Sequence, residues 1–252
     1  MTRRRFYANP GDIKLAHQQV KLTSDEARHL REVLRLKPGD RVYVFDGEGK
    51  EFVCAVRTAA REFADLEILE EVAPTRPESP LTLLLAVALL KGEKFDLVVQ
   101  KATELGVRQI IPLVTRHSDI RLRDEGDALK RVMRWQRIAL EAAKQSGRAF
   151  MPQITPPLTL EYLLNDPLAS ESLQLLFSER GGESLVTASG AVTDIEAVTA
   201  FVGSEGGWSD EEIEQARGTG VKIVTLGGRV LRAETAAIAV TTLLQHLYGD
   251  LR

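Results

Sequence analysis

Cysteine is nearly absent from this chain of 252 residues: Cys54 stands alone, which excludes an intramolecular disulfide framework and fits a reducing cytoplasm. Histidine is scarce too. Its four scattered residues and the single cysteine form no ligand cluster, so no structural metal is expected. No apolar run approaches the roughly eighteen residues of a membrane span, so no membrane partner is expected. The basic start, Met1-Thr-Arg-Arg-Arg-Phe-Tyr7, leads into Asn9-Pro-Gly-Asp12 instead of an apolar stretch, which argues against a secretory signal. Neither GxGxxG nor a Walker A sequence is present, and dinucleotide and P-loop readings lose ground accordingly. What remains is a globular, cytoplasmic composition, 44% hydrophobic and 27% charged, long enough for one large domain or two modest ones.

The net charge of −3 alone argues against a nucleic-acid partner, but its distribution does not. Residues 1–41 hold ten Lys/Arg against five Asp/Glu, and residues 128–148 hold six basic residues with Glu141 as their only acid. Local basic faces of this kind suit RNA. The same segregation also occurs on ordinary solvated surfaces.

Val72-Ala-Pro-Thr-Arg-Pro-Glu-Ser-Pro80 reads as a stiff linker between differently patterned halves, placing domains at 1–73 and 81–252 with the linker at 74–80. Upstream, a strand at Val20–Leu22, a short helix from Ser24 to Leu34 and alternating strands at 41–45, 51–56 and 64–69 suggest a small curled β-barrel. Asp46-Gly-Glu-Gly49 is its hairpin turn. Downstream, the apolar run Leu81–Leu90 and a succession of strands and helices predict an α/β domain with a mostly parallel sheet covered on both faces. Strands are expected at 109–114, 173–178, 197–203 and 221–226. Helices are expected at 93–105, 127–146, 209–217 and 233–248. On the long helix, Arg134, Arg137, Glu141, Lys144 and Arg148 recur every three or four residues, opposite Val132, Trp135, Ala139 and Ala142.

The chemical content concentrates in Phe201-Val-Gly-Ser-Glu-Gly-Gly-Trp-Ser-Asp-Glu-Glu212 and Leu226-Gly-Gly-Arg-Val-Leu-Arg-Ala-Glu-Thr-Ala236. Each reads as a buried strand entering a glycine-rich turn and then a helix, with Ser209 and Glu212 spaced as a capping box. Such turns bring backbone N–H and C=O groups, not large side chains, against a ligand. Their proximity in sequence suggests one pocket.

These two motifs resemble those of the SPOUT methyltransferases, and among them the RsmE family of 16S rRNA (uracil-N3)-methyltransferases. Lys91-Gly-Glu-Lys94, Gln100-Lys-Ala-Thr-Glu-Leu-Gly106, Arg134–Arg148, Arg3–Tyr7 and His29–Leu36 extend the similarity over essentially the whole chain. The resemblance implies a C-terminal trefoil knot binding S-adenosylmethionine, an N-terminal PUA-like RNA-binding domain, and a homodimer acting on the small ribosomal subunit. It places the cofactor against Leu176 and Phe177, against Gly203, Ser204 and Gly206, and against Leu226, Gly227, Val230, Leu231 and Ala236. Glu205 and Arg232 are the charged residues expected to face the pocket as catalytic residues, Glu205 beside a sulfonium or else as a staple for loop amides, and Arg232 toward the target uridine or its phosphate or else as a bridge to Glu234 or Glu205. RNA contacts are expected from Arg3, Arg4, Arg5, Arg35, Arg134, Arg137, Lys144 and Arg148. One departure stands out, Ser204 where the family has proline, which relaxes a backbone restraint.

Methylation at pyrimidine C5 needs a cysteine nucleophile, and Cys54 lies on a predicted strand of the small domain, away from the glycine turns. A ring nitrogen or ribose oxygen needs no covalent intermediate. Three other readings stay open: a ribose 2′-O methyltransferase, a non-catalytic RNA-binding or ribosome-assembly protein, and an α/β protein holding a phosphate at the Gly203–Ser209 turn.

Overall fold

A computed structural model describes residues 4–166, 172–190 and 195–251. The chain forms two compact units. The first comprises residues up to Glu78 together with Leu140–Met151. The second comprises Ser79–Ala139 and the chain from Pro152 onward.

The first unit is a six-stranded sheet built from β1 (Arg5–Tyr7), β2 (Ile13–Lys14), β3 (Gln19–Thr23), β4 (Arg41–Phe45), β5 (Glu51–Ala59) and β6 (Phe63–Val72), ordered β1-β4-β5-β6-β3-β2. Only β1 and β4 pair in parallel. Period-two patterning buries Val20 and Leu22 on β3, and Val42 and Val44 on β4, against Leu30, Phe52 and Leu66. Two register shifts in the β5–β6 ladder, at Val53/Cys54 and Val56/Thr58, mark bulges, which increase local twist. The strands β1 and β2 escape sequence reading because two or three residues carry no usable alternation. The expected helix from Ser24 to Leu34 divides. Its α-helical part, α1, spans Ser24–Arg28, and a π-helical turn continues over His29–Val33. Thr23 occupies the cap position and makes no side-chain cap. Asp46 closes the hairpin turn by accepting from the Glu48 and Lys50 amides at 2.7 and 3.0 Å.

Buried ion pairs hold this unit together. Arg5 Nε donates to Glu51 at 3.1 Å, while the same guanidinium reaches the carbonyl of Arg148 at 3.0 Å. Glu51 is fully buried and also accepts from the Thr75 amide at 2.7 Å. Removing one partner of such a pair strands the other charge without water, at a cost of about 3–5 kcal/mol. Glu51→Ala is therefore expected to destabilise the chain by that amount in urea denaturation, with Glu51→Gln milder; a loss below about 1 kcal/mol would contradict a stabilising pair.

The second unit carries β7 (Thr82–Ala88), α2 (Lys94–Glu104), β8 (Gln109–Val114), α3 (Glu125–Ser146), β9 (Gln153–Ile154), β10 (Leu158–Thr159), α4 (Leu160–Leu164), β11 (Leu173–Phe177), β12 (Glu183–Ser184), α5 (Leu185–Ser189), β13 (Ala197–Val202), α6 (Asp210–Gly218), β14 (Lys222–Thr225) and α7 (Ala233–Tyr248). The last residues of α3 fall within the first unit. All pairings are parallel, in the order β10-β8-β7-β13-β11-β14-β12, with β9 beside β8. Both faces are covered, as the apolar strands require. Leu83, Leu85, Val87, Leu175, Phe177 and Val202 pack with α2, α7 and the Trp135 side of α3. Ala86, Leu176, Phe201 and Ile223 pack with Leu160 and Leu163 of α4, Ala216 of α6, and Trp208. Val132, Trp135, Ala139 and Ala142 are buried, so the expected apolar side of the long helix faces the interior.

Candidate cofactor site at the strand ends

The strands β11, β13 and β14 end level with one another, and their exits line a cavity of about 430 Å³. Open parallel sheets generally bind ligands at these carboxyl ends, where turns leave backbone groups unpaired. Phe177 closes β11 and Val202 closes β13, both facing the cavity, followed by Gly203, Ser204 and Glu205. From the third exit come Leu226, Gly227, Val230, Leu231 and Arg232, with Ala236 one turn into α7. The predicted pocket residues thus meet in one place, with two exceptions.

Leu176 is the first. It is fully buried on the opposite face of the sheet, among Ala86, Phe201 and Trp208. Side chains alternate along a strand, so two neighbours cannot both face the cavity, and Phe177 takes that role. Gly206 is the second. A β-carbon there would lie 2.8 Å from the β-carbon of His117, whose Nδ1 sits 3.1 Å from the Gly206 carbonyl oxygen. Gly206 allows the His117 loop to close on the turn; it does not line the cavity. Gly207, Gly228, Glu179 and Arg229, which belong to the strand end and the two turns expected around the cofactor but were not singled out one by one, line it as well. The doubled glycines of each turn were the available signal. Gly227 and Gly228 have φ of +71° and +65°, with open space where a side chain would be, so backbone conformation is what demands glycine there.

Trp208 joins two of the exits. It is 1% exposed, and its Nε1–H donates to the Phe177 carbonyl at 2.9 Å. The capping box forms as the spacing predicts: the Glu212 amide donates to Ser209 Oγ at 3.2 Å, and the Ser209 amide to Glu212 at 2.8 Å. Ser204 is 7% exposed, and its Oγ is buried without a partner among the described residues while its residue lines the cavity. An orphaned hydroxyl in such a position is costly unless a ligand or water satisfies it.

Glu205 accepts from Lys94 Nζ at 2.7 Å. Partial burial pushes its carboxyl upward, but the Lys94 hydrogen bond and charge, with the Lys91 amide, outweigh burial and bring it below the ordinary carboxylate range. The Glu205 hydrogen bond in turn raises Lys94. Glu205 is therefore an anion beside the cavity and also clamps the Lys91–Lys94 segment to the Gly203–Gly207 turn. Arg232 caps α7 through its backbone, is exposed, and has no ion-pair partner among the described residues.

The residues expected to meet RNA divide sharply. Arg3 lies outside the described residues. Arg4, Arg35 and Arg137 are exposed, and Arg134 is exposed but paired with Asp96. Arg5 and Arg148 are buried in ion pairs with Glu51 and Glu78, and Lys144 is largely buried against Glu26 at 2.7 Å. Internal carboxylates thus take the partners that phosphates were expected to take. Cys54 is buried in the first unit, and burial pushes its thiol up to about 12, which removes the thiolate a C5 mechanism would need.

Residues 77–245 match the family described as RNA methyltransferase domain, and residues 22–69 the family described as RNA methyltransferase PUA domain. Ribosomal RNA small subunit methyltransferase E of Synechocystis is 36% identical over 218 residues, 86% of this chain and 69% of the relative. The chain belongs to the ribosomal RNA small subunit methyltransferase E family. The family member from Neisseria gonorrhoeae, solved bound to S-adenosylmethionine, superposes with a TM-score of 0.86 at 35% identity, covering 99% of this chain and 100% of that one. A Legionella pneumophila protein, solved in complex with the same cofactor, gives 0.86 at 30% identity over 100% of both chains.

Two tests follow from the local packing. Gly206→Ala must displace His117 and is expected to destabilise by about 1–3 kcal/mol on thermal or urea unfolding; an unchanged midpoint would show that the His117 contact is slack. For the clamp, Glu205 is depressed, so its contribution is present above the unfolded carboxylate range and is lost as pH falls through its folded value. Lys94 is raised, so its contribution holds at neutral pH and is lost only when alkali passes its folded value. Lys94→Met is thus expected to speed amide hydrogen exchange at Gly206 and Gly207 at pH 7, with the difference from wild type vanishing in acid. Equal exchange at pH 7 would contradict the clamp.

Proposed function

We propose that this chain transfers a methyl group from S-adenosylmethionine to N3 of a uridine in 16S ribosomal RNA. One observation carries the reading: the family's two glycine motifs and the end of β11 converge on a single cavity. The lining suits the cofactor. Gly203, Gly227 and Gly228 line the cavity without side chains to obstruct a planar adenine ring, Ser204 Oγ offers an unsatisfied hydrogen-bonding group, and Glu205 supplies negative charge for a cationic ligand. When bound, the cofactor supplies a methyl group activated by attachment to a sulfonium. The chain's task is to hold the donor, align the base and stabilise the anion left when N3 loses its proton. Arg232, exposed beside the cavity, is placed to provide that cationic stabilisation.

In this reading the domain at 1–73 and the 81–252 domain, joined by the proline-rich 74–80 segment, both hold RNA. Arg4 and Arg35 serve on the former, and Arg134 and Arg137 on the latter. The trefoil knot, a cytoplasmic setting and a homodimer belong to the same proposal. Exposure of Leu243 and Leu247 on α7 supports a second copy as partner. The test is mass mapping of nucleosides after incubating the chain and methyl-labelled cofactor with undermethylated small subunits and with naked 16S RNA. Labelled 3-methyluridine is expected, with Arg232→Ala slowing single turnover about tenfold or more; label on ribose, or no label, would overturn the assignment.

A further inference from the structure

Two acids line the cavity, Glu179 and Glu205, and their charges are spent differently. Glu205 holds Lys94 at 2.7 Å, so a cation already matches it. Glu179 follows β11, the middle one of the three strand exits, and its side chain is 38% exposed. Among the described residues its nearest cation is Arg180, whose Nε stands 3.9 Å away, beyond hydrogen-bond reach. That guanidinium is turned elsewhere: it donates to Asp210 at 2.9 Å and to the Trp208 carbonyl. The Glu179 carboxylate is nevertheless seated. A β-carbon on Gly207, whose φ is +67°, would lie 2.6 Å from Glu179 Oε1. Glycine at 207 therefore admits the acid against the turn as well as supplying the backbone angle.

We infer that Glu179 is the residue by which the cavity tells the methyl donor from the spent product. The inference rests on the proposed function. S-Adenosylmethionine ends in an amino acid whose ammonium and carboxylate cancel, and its surplus positive charge sits on sulfur. Methyl transfer removes that charge. The electron pair of the carbon–sulfur bond returns to sulfur and leaves a neutral thioether, with every other group of the cofactor unchanged. An acid already matched by a lysine draws little from the difference. Glu179, with no bonded cation, gains a charge contact with the donor that the product cannot make, and a cavity partly shielded from water strengthens it. Arg229 and Arg232, also on the wall, are exposed and come from the β14 exit. They suit the anions of the reaction, the donor's carboxylate and the uracil. Glu179 thereby helps the product leave, because its attraction ends with the transfer.

Calorimetry of the free chain with S-adenosylmethionine and with S-adenosylhomocysteine tests this. Wild type is expected to bind the donor more tightly than the product. Glu179→Gln keeps the shape of the side chain and removes its charge. In that variant the preference should shrink by about threefold or more, through weaker donor binding, as for a charge contact partly open to water. The melting temperature without ligand should match wild type, since no internal ion pair has been broken. In turnover with RNA, inhibition by S-adenosylhomocysteine, relative to donor affinity, should strengthen by the same factor. A smaller change in the preference would overturn the inference. Equal weakening of both ligands would do so by making Glu179 a holder of the ribose or the ammonium, and collapse of the fold by making it a structural anion. A wild-type chain that binds neither ligand would remove the proposed function itself, and this inference with it; a wild type that binds both alike would remove only the inference.

Discussion

A parallel sheet cannot turn back on itself. Every strand must end at the same side and hand the chain to a loop, and there the ladder of backbone hydrogen bonds stops. In the second unit β11, β13 and β14 end side by side, so their three exits face one volume. Bulky side chains would have filled that volume. Instead the exits run through Gly203, Gly207, Gly227 and Gly228, which keep it open between Phe177, Val202, Leu226 and Leu231. The cavity follows from sheet topology together with glycine, and the chemistry proposed for it depends on both.

Open turns are soft, and this chain braces its turns from outside. Trp208 reaches back to the carbonyl that ends β11, tying one exit to the next. His117 closes over Gly206, Lys94 and the Lys91 amide hold Glu205, and the Arg116 amide donates to Glu212 at 2.9 Å, beyond the turn. Preorganisation of this kind lets a site built of loops hold a ligand at low ordering cost. The charges used as braces also give the cavity its electrostatic character, since Glu205 is anchor and anion at once.

Much of this was legible in the residues, and the reasons for the remainder are physical. Buried parallel strands announce themselves as apolar runs, and α7 and β8 fall where the pattern puts them, at Ala233–Tyr248 and Gln109–Val114. The capping box at Ser209 needed only spacing. Strands of two or three residues such as β1, β2, β9 and β12 have no periodicity to read, and they form because a neighbouring ladder recruits them. Within the site, strand alternation could have excluded Leu176 in favour of Phe177. The role of Gly206 could not be foreseen, because His117 lies 89 positions away in sequence. The basic residues are the clearest lesson. Arg5, Lys144 and Arg148 look like phosphate ligands in a charge count, yet each is consumed by a glutamate that only the fold brings near.

The account stands on the cavity at the strand ends being a site for S-adenosylmethionine. Isothermal titration of the purified chain with S-adenosylmethionine, run in parallel with ATP, tests that most directly. Saturable, one-to-one binding of S-adenosylmethionine, weakened by Gly227→Val and absent for ATP, is the predicted result. No measurable heat with S-adenosylmethionine, or affinity that survives blocking of the Leu226–Leu231 turn, would contradict it.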